Sequence, residues 1–159
     1  MSGSEHMAVK TTIKRMVPAR KKMVSQPQVV TRPAPTIPAI GVDIVDVQRL
    51  QALYERWQES LLLRLFTERE RTDCQKETGY RWYSLAGRFS AKEAVKKILA
   101  CRGEMASWTE IEIVTGQYGE PSINLHGNAR SAFERSGYSS LILSISHDAS
   151  LAIATVMAY

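Results

Sequence analysis

Three stretches of this 159-residue chain place polar groups where a plain apolar core would have none. In Gly41-Val42-Asp43-Ile44-Val45-Asp46 an acid stands in the middle of an Ile/Val run. A carboxylate buried there is costly unless it is ion-paired or bound to a metal, although a strand face open to water would also accommodate it. In Leu85-Ala86-Gly87-Arg88-Phe89-Ser90-Ala91-Lys92-Glu93-Ala94-Val95-Lys96-Lys97, Glu93 follows Phe89 by four residues and Lys97 follows Glu93 by four. At about 100° per residue the three stay near one side of a helix, so a carboxylate and an ammonium share the apolar stripe begun by Trp82. An ordinary surface Glu–Lys pair has the same spacing. Gly87 speaks against it, because a glycine inside a helix costs about 1 kcal/mol relative to alanine and marks close packing or a site. In Ser144-Ile145-Ser146-His147-Asp148 an imidazole and a carboxylate stand at a strand exit. They are able to bind phosphate or move a proton there, or simply to close a turn by hydrogen bonds.

The elements that must position these groups follow from the hydrophobic period. Ile37 to Val47 reads as a strand, and Val47, Leu50, Leu53, Tyr54 and Trp57 then recur at helical spacing. Thr67 with Glu70 three residues on has the form of a capping box, which predicts a helix ending near Gly79. Tyr80 to about Ala100 is the longest helical pattern. Trp82, Leu85, Ala86 and Phe89 form one of its stripes and Ala91, Ala94, Val95 and Ile98 a neighbouring one, which predicts a helix embedded in the core. The period then changes. Ile111 and Ile113 alternate with acids, Gly116 to Pro121 is turn chemistry, and Ser122 to Leu125 returns as a partner strand. A short helix around Ala129, Ala132 and Phe133 should stop near Gly137. Leu141 to Ser146 and Leu151 to Met157 form an antiparallel pair joined through His147-Asp148-Ala149-Ser150. Strand, helices, hairpin, helix, hairpin is an α+β order, and without a GxGxxG it argues against a dinucleotide fold.

Composition narrows the function classes. The formal charge is +5, but from Met1 to Ile40 seven basic residues face one acid, Glu5, and the remainder is near −1. The basicity belongs to the N-terminal segment, so the domain itself is not expected to bind nucleic acid. Five of the six prolines also lie there. Residues 1–36 therefore read as a basic, Pro-rich, flexible arm, its first residues in part vector-derived with Met7 as the native start, and 37–159 as the domain. No run suits a membrane span. Two cysteines, Cys74 and Cys101, make neither a disulfide framework nor a four-cysteine zinc site. Absence of an export signal points to the cytoplasm.

In combination, Gly41-x-Asp43, the run from Leu85 to Ala94, Gly119-x-Pro121 and Ser144-x-Ser146-His147 resemble the holo-acyl-carrier-protein synthases. These are the small class of 4′-phosphopantetheinyl transferases, and the resemblance covers about Ile37 to Tyr159. It implies a small antiparallel sheet packed with a long central helix, in a chain that assembles as a homotrimer with shared active sites. It implies transfer of 4′-phosphopantetheine from coenzyme A to a serine of an apo acyl carrier protein, releasing adenosine 3′,5′-bisphosphate, within fatty-acid biosynthesis and lipid metabolism. Carriers of fatty-acid and of polyketide synthesis fit equally. Asp43 and Glu93 would hold Mg²⁺, a cation that prefers oxygen ligands and keeps several waters. Lys97 would contact the phosphates and help the leaving group. Arg88, Lys97, Pro121 and His147 would bind coenzyme A, Pro121 at its adenine end. For the general base, one candidate is a water held by Glu93 and the metal, and the other is Asp148. Arg49, with Arg56 and Arg64 as supports, would dock the acidic carrier. The competing reading is a non-enzymatic binding module working through the basic arm, which leaves Asp43, Glu93 and His147 unexplained.

Overall fold

A computed structural model of the chain describes residues 37–100 and 106–159. The basic arm and Cys101 lie outside the described residues.

Strand β1 (Ala39–Asp46) opens the domain and leads directly into helix α1 (Val47–Trp57). The Asp46 carboxylate caps that helix, accepting the Arg49 N–H at 3.0 Å. Helix α2 (Glu59–Leu65) follows across Gln58, whose φ of 49° breaks the path. Its residues carry no capping signal, and the sequence reading had no element there. Helix α3 (Glu68–Cys74) starts on the predicted capping box, with both reciprocal bonds formed between Thr67 and Glu70. It ends earlier than expected. Gly79 is not its stop but part of a tiny hairpin of β2 (Gln75–Lys76) and β3 (Gly79–Tyr80). Helix α4 (Trp82–Ala100) is the predicted long helix, and a single 3₁₀ turn (Trp108–Glu110) precedes the hairpin of β4 (Ile111–Thr115) and β5 (Pro121–Leu125). Helix α5 (Gly127–Ser136) stops at Gly137 in the left-handed conformation, φ 82°, as its sequence suggests. Strands β6 (Leu141–Asp148) and β7 (Leu151–Ala158) close the chain. Here the expected join is shorter: His147 and Asp148 are the last residues of β6, and only Ala149 and Ser150 make the turn.

The main sheet has the order β1-β7-β6, antiparallel throughout. Helix α4 lies across one face of it. The β7 residues on that face are Ala152, Ala154, Val156 and Ala158, all fully buried and mostly small, so the helix approaches closely. Gly41 makes the approach possible at β1, where a Cβ would collide with the Ala94 carbonyl. Gly87 does the same on the helix, where a Cβ would meet Ile145 Cγ2 at 2.9 Å. This explains the glycine that looked expensive in the sequence. Among the described residues no helix is long and apolar enough to cross a membrane.

Candidate active site

The α4–sheet contact decides which polar groups meet. Strand parity puts Gly41, Asp43 and Val45 on the face of β1 toward α4. From the helix, Ser90 and Lys97 grip consecutive β1 peptides. The buried Ser90 hydroxyl donates to the Asp43 carbonyl at 2.6 Å, and Lys97 Nζ donates to the Val42 carbonyl at 2.5 Å. The same ammonium pairs with Asp43 Oδ1 at 2.9 Å, the Lys97 side chain being 51% and the Asp43 side chain 18% exposed. Glu93, one turn earlier on α4, faces a cleft of about 500 Å³ that it shares with Asp43, Asp46, Arg49, Leu53 and Phe89. Partial burial first, and the neighbouring Asp43 charge second, raise the Glu93 pKa above the usual carboxylate range. Asp43 and Glu93, distant in sequence, therefore converge as expected, with Lys97 beside them.

The other predicted groups lie elsewhere along α4. Arg88 is five residues before Glu93, about 140° around the helix. Its side chain is nine-tenths buried; Nη2 donates to Thr115 Oγ1 at 3.0 Å and stands 3.8 Å from Asp73. Its Nε has no hydrogen-bond partner among the described residues. Pro121 is the register partner of Thr115, so the β4–β5 hairpin brings it beside Arg88. His147 packs edge-on against Tyr83 at the start of α4, ring centroids 5.7 Å apart. One strand, β7, separates it from β1, two inter-strand spacings or roughly 10 Å across the sheet. One chain thus presents a carboxylate–lysine cleft and, on another side of α4, an arginine–hairpin edge, with His147 held separately at Tyr83.

Asp148 is not brought to Asp43. Alternation along β6 points it away from His147, and it is not among the residues that line the cleft. Glu93 is the carboxylate of the two general-base candidates that stands at the cleft. Arg49 lines the cleft mouth from α1. Arg56 lies over the Trp57 ring at 5.2 Å and Arg64 is exposed at the end of α2, both outside the cleft lining.

One polar cluster was missed. Lys92 and Glu70 form a fully buried ion pair, Nζ to Oε2 at 2.6 Å. Lys92 belongs to the motif singled out on α4 and Glu70 to the capping box, but nothing local links residues 22 positions apart.

The fold is that of a phosphopantetheine-transferring enzyme: the family model described as the 4′-phosphopantetheinyl transferase superfamily matches residues 39–156, and the chain belongs to that family. Within it the chain is a phosphopantetheinyl transferase of the holo-acyl-carrier-protein synthase kind. Over 118 residues it is 42% identical to the holo-acyl-carrier-protein synthase of Dehalococcoides mccartyi (strain CBDB1), covering 74% of this chain and 95% of the relative. The Helicobacter pylori holo-acyl-carrier-protein synthase in complex with coenzyme A superposes with a TM-score of 0.65 at 31% identity, over 76% of this chain and all of that one. The Chronobacterium ammoniagenes ACPS–CoA complex gives a TM-score of 0.67 at 30% identity, over 77% and 97%.

Proposed function

We propose that the Asp43–Glu93 cleft carries out Mg²⁺-dependent transfer of 4′-phosphopantetheine from coenzyme A to a serine of an apo acyl carrier protein. The observation that carries this is the convergence of two carboxylates and a lysine from β1 and α4 in one cleft. The donor set suits the cation. Two neighbouring carboxylates, one with its pKa raised by burial first and by the other's charge second, would suit a hard divalent cation, and Mg²⁺ prefers such oxygen donors. When bound, the ion neutralises the diphosphate and the charge developing on the leaving phosphate. Asp43 and Glu93 would hold it. Lys97, half exposed on a flexible stem, can leave Asp43 and meet phosphate oxygens. A water held by Glu93 would take the serine proton. The serine Oγ forms a bond to the phosphorus that bears pantetheine, the bridging P–O bond breaks, and adenosine 3′,5′-bisphosphate departs. The buried Arg88 Nε, without a partner among the described residues, supports a phosphate contact on that edge, with Pro121 beside it and His147 as a further contact.

That edge is the complement of the cleft rather than its continuation, and the outer sheet face suggests how the two meet. Ile40, Val42, Ile44, Ile142, Leu151 and Ile153 are 37–68% exposed on it. So broad an apolar face fits burial against further copies, and we take the working unit to be a homotrimer in which one protomer's cleft faces its neighbour's Arg88 edge. The carrier would dock at Arg49, with Arg56 and Arg64 as outer supports, the domain being residues 37–159 of a cytoplasmic protein.

Mass spectrometry of an apo carrier protein incubated with coenzyme A, Mg²⁺ and this chain tests the reaction; an unmodified carrier would refute it. Mixing Glu93→Gln chains with Arg88→Ala chains, each inactive alone, should restore transfer. Continued inactivity of the mixed, trimeric protein would confine each site to one protomer.

A further inference from the structure

The Glu70–Lys92 pair takes no part in the chemistry above, yet it is the most completely buried charge in the described residues, with both side chains at 0% exposure. Lys92 spends its three donors on three different elements. They go to Glu70 Oε2 on α3 at 2.6 Å, to the Leu65 carbonyl at the end of α2 at 2.7 Å, and to the Trp108 carbonyl in the 3₁₀ turn at 3.0 Å. Glu70 is equally committed. Oε2 also accepts the Thr67 N–H at 2.8 Å, and Oε1 accepts the Ile113 N–H of β4 at 2.9 Å. Replacing a buried ion pair by apolar residues of similar volume is often neutral for stability. Apolar residues cannot, however, fix direction, and here direction matters. Lys92 precedes Glu93, and Arg88 sits one turn back on the same side of α4. The elements that the pair ties down, α3 and β4, supply the Asp73 and Thr115 partners of Arg88. Lys92 also stands over the Phe66 ring at 5.3 Å, and Phe66 packs on Phe89 of the cleft wall.

We propose that Glu70 and Lys92 are positioning residues for the transferase site: by locking the rotation of α4 against α2, α3, the 3₁₀ turn and β4, they aim Glu93 at Asp43 and hold Arg88 on its hairpin. The proposal rests on the reading of Asp43 and Glu93 as the metal-holding pair. A supporting shell of this kind keeps reacting groups within a fraction of an ångström of their working geometry.

The double variant Glu70→Leu/Lys92→Met separates positioning from stability. It should fold cooperatively, yet its affinity for Mn²⁺, measured on the protein alone by the spectrum of free Mn²⁺, should weaken by about 10-fold. Well below its melting temperature, its kcat should fall about 10-fold while KM for the carrier stays near the wild-type value. Wild-type Mn²⁺ affinity and kcat in the folded double variant would overturn the proposal and make the pair purely structural. If the double variant does not fold, Lys92→Arg decides. That change keeps the charge but places a planar fork where three divergent donors are needed. Weaker Mn²⁺ binding in the folded Lys92→Arg protein supports positioning, and unchanged binding overturns it. Glu93→Gln is run alongside: if it binds Mn²⁺ and transfers like the wild type, the reading of the site falls and takes this proposal with it. If it loses both while the Glu70/Lys92 variants lose neither, only this proposal falls.

Discussion

Helix α4 carries two lysine–carboxylate pairs five residues apart, and they are opposites. Lys92–Glu70 has no exposure at all and every donor is satisfied by a different element. Lys97–Asp43 is 51% and 18% exposed, on the rim of a cleft that contains a second, uncomfortable carboxylate. Burial pushes the Lys92 pKa down, and Glu70 only partly offsets it. The same two functional groups are a fixed joint in one place and an exchangeable contact in the other. Solvent access makes the difference. Removing water makes a broken pair expensive, whereas at a wet rim water and counter-ions replace a departing partner at little cost.

The largest effect that would break this contrast is on chemistry at the open pair. Asp43→Ala or Glu93→Gln should abolish carrier modification while leaving the circular dichroism spectrum unchanged. Retained transfer by either variant at limiting Mg²⁺ would remove the metal-holding role. Next is stability. Lys92→Met strands the Glu70 carboxylate in the core and should cost about 3–5 kcal/mol. Lys97→Met should change stability by less than about 1 kcal/mol. Denaturant titration of both variants checks the ratio, and equal losses would mean that exposure is not what separates the pairs.

A smaller effect concerns Glu93 itself. Its folded pKa is raised, by burial first and Asp43 second, so the folded state favours the protonated acid. Relative to the unfolded chain, the fold binds this proton more tightly. Stability from Glu93 is therefore present below the ordinary carboxylate pKa and is lost as pH rises through the raised one. In chelator at neutral pH, Glu93→Gln should melt about 1–3 °C above the wild type, and the advantage should vanish below the carboxylate range. A lower melting temperature at neutral pH would contradict the strain assigned to this acid. The smallest effect lies at the rim. Arg49→Glu should raise KM for the carrier about 10-fold at low ionic strength and flatten its salt dependence, leaving coenzyme A affinity unchanged. A selective loss of coenzyme A affinity would turn Arg49 toward that substrate instead.

The local pattern of the chain was enough for most elements. The Ile/Val run of β1, the double stripe of α4, the capping box at Thr67 and the stop at Gly137 all arise from forces that act within one or two turns, so they are legible residue by residue. Helix α2 was not legible, because Gln58 breaks the chain with a φ of 49° that no glycine or proline announces. The stop assigned to Gly79 failed for a related reason. A glycine at φ 117° serves a hairpin as well as a helix end, and only pairing with Lys76 chose between them.

The candidate site divides along the same line. Asp43, Glu93 and Lys97 stood out in sequence as charges set in apolar stripes, since desolvation makes such placements conspicuous wherever they occur. Their convergence was decided by tertiary contact: Gly41 and Gly87 let α4 settle on the sheet, and the buried Ser90 hydroxyl holds the Asp43 peptide against the helix. Tertiary structure also left Asp148 outside the cleft lining, turned away from His147. Above all it joined Glu70 to Lys92. In the sequence each has a sufficient local explanation, a helix cap and a helical lysine. Only packing removed the water that would otherwise have made their pairing unimportant.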